Sequence, residues 1–168
     1  YVHQAGWSSG KDRIGKMANT EINKVSFVDL AAQYQTIKTE VDAAIASVIQ
    51  NTAFILGPEV RKFEEEFAQF CETKYAVGVD SGTSAIELIM RALEIGPGDE
   101  VIIPANTFIA TALGVSFTGA KPVFVEPDAE TYNIDVTRIE AAITPRTKAI
   151  MPVHLYGQTA DMDPILDI

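Results

Sequence analysis

Three short stretches of this chain carry side chains suited to chemistry. In SGTSA, Ser81, Thr83 and Ser84 set hydroxyls around a bare glycine, Gly82, just after a β-rich run ending at Asp80. An apolar-periodic run follows at once, with Ala85, Leu88, Ile89 and Ala92 on one face. A helix starting there has first-turn N–H groups without internal partners and a positive dipole end at the same point. Such a start favours an anion, and the Thr83 and Ser84 hydroxyls can add hydrogen bonds to a phosphate. The same spacing also suits a plain N-cap, with Ser81 or Thr83 capping and nothing bound. In PANTFIATA, Asn106, Thr107 and Phe108 stand just past another strand-like run. Phe108 can stack on a flat ring whose phosphate sits on the first stretch. It equally suits a hydrophobic staple or an ordinary core aromatic. VHLYGQTADMD offers His154, Tyr156 and Gln158. A lone histidine after a strand is more often a hydrogen-bonded structural residue than a catalyst. Asp161 and Asp163 read as helix-start carboxylates, not as an acid–base or metal pair.

The elements that must position these groups follow from periodicity. Val25 to Leu30 is a short extended piece, and Gln33–Gln50 carries a helical stripe of Tyr34, Ile37, Val41, Ala44, Ile45 and Val48. The loop NTAFILGP comes next, with Phe54, Ile55 and Leu56 clustered in it. A second helix is expected over Glu59–Glu72, with Val60, Phe63, Phe67 and Phe70 inward and Glu64, Glu65 and Glu66 toward water. From Tyr75 the pattern alternates. Strands are expected at Tyr75–Val79, Glu100–Ile103, Pro122–Val125 and Lys148–Val153, with helices at Ser84–Leu93, Asn106–Phe117 and Asp135–Ile143. GPGDE and TGAKP punctuate them. This alternation predicts an α/β fold of βαβ units around a parallel sheet, preceded by N-terminal helices. Ligands of such sheets bind beyond the carboxyl ends of the strands. The predicted floor of a site is therefore Asp80–Ser84, Pro104–Phe108, Glu126–Asp128 and His154–Gln158.

Composition bounds the function. With 168 residues and 47% apolar content, one core is expected. A net charge of −10, from 13 basic and 23 acidic residues, argues against nucleic acid and acidic membrane surfaces as partners. Any anion must be held locally by helix ends and hydroxyls. The single cysteine, Cys71, falls in an apolar helical stripe and is expected to be a buried thiol. No apolar run is long enough to span a membrane, and a reducing cytoplasm fits best. Tyr1 to Lys24 is rich in Gly, Ser, Lys and Asn and reads as a disordered or vector-like leader, with Met17 a candidate start. The halt at Ile168, just after a helix start, reads as part of a longer protein.

From Val28 to Asp163 the chain resembles the DegT/StrS family of sugar aminotransferases, which use pyridoxal phosphate on the fold-type-I scaffold. The matching stretches are FVDLAAQY, FILGPEVRKFEEEFA, YAVGVDSGTSA, IGPGDEVIIPANTFIATA, GAKPVFVEPDAETYNID and AAITPRTKAIMPVHLYGQTADMD. They stand in the family's order and at its spacing, which is far more specific than SGTSA alone. The resemblance implies a truncated parallel-sheet large domain over residues 25–168, with its C-terminal half and the small domain absent. It implies pyridoxal 5'-phosphate as cofactor, with Thr83 and Ser84 as the phosphate-binding pair and Phe108 stacked on the pyridine ring. Gly82, His154 and Gln158 complete the candidate cofactor-binding set.

The family's Schiff-base lysine and the aspartate that pairs with the pyridine nitrogen lie downstream of Ile168. None of Lys38, Lys62, Lys74, Lys121 and Lys148 matches the lysine's motif. The chain alone is therefore expected not to transaminate. Implied partners are a nucleotide-linked keto-sugar, an amino-acid amino donor and a second copy in a homodimer, in cell-surface polysaccharide or secondary-metabolite sugar biosynthesis. A dehydratase branch of the same family, and a non-catalytic anion- or partner-binding α/β domain, are the alternatives.

Overall fold

The computed structural model of the protein describes residues 27–168. The predicted leader and Val25 lie outside them. Two compact units divide between Arg61 and Lys62. In the first, α1 runs over Leu30–Gln50, and the Asp29 carboxylate caps it by accepting from the Ala32 N–H at 2.9 Å. The predicted stripe is present, yet α1 buries no residue. Phe54, Ile55 and Leu56 stand exposed in the loop that follows. Helix α2, Pro58–Phe70, begins in this unit and continues into the second.

The second unit is built on a sheet of β1 (Glu100–Pro104), β2 (Lys121–Val125) and β3 (Thr147–Ile150), in the order β2-β1-β3. Both pairings are parallel, as the βαβ pattern predicts. Central β1 is buried along its whole length, and its alternation splits the core in two. Val101 and Ile103 join Met90, Ile95, Val115 and Ala120 on one face. Ile102 joins Val125, Ile134, Ile139, Ala160 and Ile165 on the other. Each such side chain removed from water contributes roughly 1.5–3 kcal/mol. The first face is covered by α3 (Gly82–Ala92) and α4 (Ala110–Ser116). The second is covered by α5 (Ile139–Ala142) and α6 (Met162–Asp167).

The amino ends of the strands are tied by one buried carboxylate. Glu100 is 2% exposed and accepts from Thr144 Oγ1 at 2.6 Å and Arg146 Nη2 at 2.7 Å, with Lys121 Nζ at 3.3 Å. These bonds hold its carboxyl down, to about 2. Residues at the heads of all three strands thus meet at one point.

Several expectations are corrected. Tyr75–Val79 is not a strand: no described segment pairs with it in a ladder, and the Gly78 N–H donates instead to Glu64 Oε1 of α2 at 2.7 Å. Glu64 therefore does more than face water. Phe63, Phe67 and Phe70 do not turn into a core. The first two stack on each other at 5.5 Å between centroids, and all three remain exposed, with only Ala68 buried on α2. Cys71 is exposed, because it falls in the turn after α2 ends. Helix α4 starts at Ala110, not Asn106, since Asn106 spends its amide on the Tyr132 carbonyl at 2.9 Å. The segment Asp135–Ile143 is a 3₁₀ turn, Val136–Arg138, followed by the single turn of α5.

Candidate functional site

Helix α3 starts two residues earlier than its periodicity predicts, at Gly82, and Ser81 is its cap. The Ser81 Oγ accepts from the Ser84 N–H at 3.1 Å, so the capping reading of SGTSA holds for Ser81 and not for Thr83. The cap leaves the Gly82 and Thr83 N–H groups, and the Thr83 hydroxyl, without a partner among the described residues. Beyond its chain neighbours and the backbone of its own helix, no atom lies within 4 Å of where a Cβ would stand on Gly82. Neither packing nor a left-handed backbone requires glycine there, and the bare backbone leaves room for an anion to approach both N–H groups. The residues present fit a phosphate.

The direction of α3 follows from its contacts. Helix α4 leaves the carboxyl end of β1 and returns to the amino end of β2, so it runs against the strands. Along α3, Ile86 lies against Gly114 of α4, and Arg91 Nη2 donates to the Phe117 carbonyl at 3.1 Å. The two helices therefore run the same way. Gly82, Thr83 and Ser84 accordingly lie toward the carboxyl ends of the strands, where the topology rule expects a ligand. Phe108 belongs to the turn after β1 at that same end and is 78% exposed, so its ring is not a core aromatic.

His154 and Gln158 flank a 3₁₀ turn, Leu155–Gly157, after β3. The Ala160 N–H donates to His154 Nδ1 at 3.0 Å, which leaves Nε2 as the ring nitrogen available to a ligand. The structural reading of His154 is thus met at one nitrogen only. Gln158 is exposed, and its backbone carbonyl, not its side chain, is held by the fold. Tyr156 and Gly157 both have positive φ, 56° and 82°.

One residue escaped the sequence reading. Asn133 is buried in the turn after β2, and its amide grips the His154–Ala160 loop. Its Nδ2 donates to the Gln158 and Thr159 carbonyls, both at 3.2 Å, and its Oδ1 accepts from the Leu155 N–H at 3.0 Å. The available signal was an amide set next to apolar Ile134 behind the turn signal EPDAETY. In that turn Asp128 accepts from the Thr131 N–H, the Thr131 hydroxyl and the Glu130 N–H, which hold its carboxyl below the ordinary range. Asp128 is therefore spent on its own loop. Among the described residues no helix is long and apolar enough to cross a membrane.

Known proteins resemble this chain in sequence and in structure. A dTDP-3-amino-3,4,6-trideoxy-alpha-D-glucose transaminase of Streptomyces venezuelae is 52% identical over 151 residues, 90% of this chain and 40% of the relative. The crystal structure of S. venezuelae DesV in complex with a ketimine intermediate superposes with a TM-score of 0.82 at 54% identity, over 85% of this chain and 38% of that one. NtdA of Bacillus subtilis with bound cofactor PMP also gives 0.82, at 38% identity, over 89% of this chain and 34% of that one. The chain thus spans about two fifths of the length of the curated relative. A family profile matches residues 35–168, and the chain belongs to the DegT/DnrJ/EryC1/StrS aminotransferase family.

Proposed function

We propose that this chain holds the phosphate and one ring face of pyridoxal 5'-phosphate in an enzyme that moves an amino group from an amino-acid donor to a nucleotide-linked keto-sugar. One observation carries the reading: the uncrowded start of α3 at Gly82–Ser84 faces the same end of the sheet as the exposed ring of Phe108. Bound there, the cofactor supplies the electron sink that lets an amino group leave one carbon and join another. The chain's own residues bind and orient it. The Gly82 and Thr83 N–H groups and the Thr83 hydroxyl donate to the phosphate, and the α3 dipole favours its charge. The Ser84 hydroxyl adds a further donor, since its oxygen accepts from Ser81 Oγ at 3.1 Å and its own proton is not spent there. Phe108 covers the ring, and His154 Nε2 and the Gln158 amide face the bound group from the loop after β3.

Support for the substrate class comes from the sugar transaminase likeness, and for the cofactor from the PMP-bound neighbour. The reading includes a homodimer, with the exposed Phe54, Ile55 and Leu56 meeting a second copy, and a cytoplasmic location.

Cofactor retention in the full-length protein tests the cradle. A hydrogen bond to a charged acceptor contributes roughly 1.5–3 kcal/mol, and about 1.4 kcal/mol is a factor of ten in affinity. Thr83→Ala should therefore weaken retention about tenfold or more. Phe108→Ala should cost less, about 1 kcal/mol. Absorbance of the bound cofactor after dialysis reads both. If Thr83→Ala holds the cofactor as tightly as the unmutated protein, the cradle assignment is wrong and SGTSA is a cap alone.

A further inference from the structure

The loop after β3 has a conformation that its own residues do not favour. Tyr156 sits at φ 56° and Gly157 at φ 82°, two left-handed residues in succession, the first of them a bulky side chain. Tyr156 is largely exposed, so burial of its ring does not hold it there. Backbone of this kind persists where the surroundings over-determine it. Inside the loop the Gly157 and Gln158 N–H groups donate to the His154 and Leu155 carbonyls and the Ala160 N–H to His154 Nδ1; from outside it, the side chain that grips the loop is Asn133. Asn133, 4% exposed, contacts the loop on both sides of Tyr156, through the Leu155 N–H and the Gln158 and Thr159 carbonyls. All three hydrogen bonds of its side chain go to this loop, while its backbone bonds stay within its own turn, to Asp128 and Thr131. The neighbouring residue extends the link, because the Tyr132 carbonyl accepts from the Asn106 amide at 2.9 Å, two residues before Phe108. Tyr132–Asn133 thus joins the loop after β1 to the loop after β3.

We propose that Asn133 is a positioning residue for the cofactor site. It fixes the His154–Gln158 loop from behind, and with it the direction in which His154 and Gln158 face. This rests on the reading that the loop contributes to the cofactor site. Asn suits the role because one planar amide offers an acceptor and a donor pair at fixed spacing. Asp keeps the shape and the acceptor for Leu155 but sets oxygen against the two carbonyls. Ala keeps none of the contacts.

The test uses the full-length protein with Asn133→Ala, and Asn133→Asp in case the alanine variant does not fold. Amide hydrogen exchange is followed for a peptide covering Leu155–Ala160 and, as reference, one covering β1. The affinity for added pyridoxal 5'-phosphate and the circular-dichroism signal of the bound cofactor are measured alongside. The expected result is exchange in the loop faster by about tenfold or more with β1 unchanged. Cofactor affinity falls and the dichroic band changes in sign or intensity. Unchanged loop exchange overturns the proposal, as does equal acceleration of β1, which makes Asn133 a general stability residue. Faster loop exchange with unchanged affinity and dichroism overturns the positioning role too, and places the loop outside the site. The Thr83→Ala measurement separates these results from failure of the cofactor reading itself, since that variant loses cofactor wherever the β3 loop lies.

Discussion

At the scale of single residues, Glu100 and Phe108 show opposite ways for a side chain to matter. Glu100 is a carboxylate in the core, which is tolerable only because Thr144, Arg146 and Lys121 supply donors to it. Its carboxyl is lowered from 4.5 to about 2 in the fold. A group with a depressed folded pKa contributes stability above its unfolded value and loses it as pH falls through the folded one. Stability from Glu100 should therefore be complete above about pH 4.5 and should disappear progressively toward pH 2. Glu100→Gln should lower the urea midpoint at pH 7 and flatten the acid limb of the stability curve. Curves that stay parallel down to pH 2 would show that the carboxylate is not what ties the strand heads. Phe108 has no such network. Its ring is 78% exposed, so Phe108→Ala should leave the unfolding free energy from urea titration within about 0.5 kcal/mol of unchanged, while lowering cofactor retention.

Between elements, the contact of α3 with α4 aims the proposed phosphate cradle. A Cβ on Gly114 would stand 2.7 Å from Ile86 Cβ and 3.3 Å from the Glu87 backbone nitrogen. Neither atom can swing away, unlike the tip of a flexible side chain. Ala is a better helix former than Gly by about 1 kcal/mol, but overpacking costs roughly 1–3 kcal/mol. The clash wins. Gly114→Ala should lower the unfolding midpoint and weaken cofactor binding as well, because α3 must shift. Ser81→Ala makes a useful contrast. It should remove about 1 kcal/mol of helix capping, leaving the aim of α3 unchanged. If Gly114→Ala proves as stable as the unmutated protein, the close approach is not a constraint.

For the whole molecule, the exposed apolar surface is the dominant fact. Phe54, Ile55 and Leu56 stand in the first unit, and Phe63, Phe67 and Phe70 along α2, all without cover among the described residues. Soluble chains seldom leave such patches open. This chain expressed alone should bind a hydrophobic dye and self-associate at micromolar concentration, as light scattering would read. The full-length protein should sediment as a dimer, and Ile55→Glu should shift it toward monomer. Sedimentation of the unmutated full-length protein as a monomer would remove the reason for the NTAFILGP cluster.

What the sequence determined by itself is local or repeated. Apolar spacing marks α1, α2 and α3, and the alternation of VII and VFV with helical runs marks a parallel sheet, because periods of two and 3.6 are set by backbone geometry alone. The motif order from FVDLAAQY to VHLYGQTADMD was enough to recognise the family. The tertiary structure decided where side chains find partners. YAVGV has the composition of a strand but finds no pairing strand among the described residues, and a strand exists only as half of a pair. The Phe stripe of α2 has a helical period but no covering surface among the described residues, so periodicity correctly assigned the helix and wrongly assigned burial. Asn133 and Glu100 were illegible for the same reason. The partners of the Asn133 side chain lie 22 to 26 residues away, and those of the Glu100 carboxylate lie 21 to 46. No spacing along a chain encodes a hydrogen bond that only the packing of separate loops brings within reach.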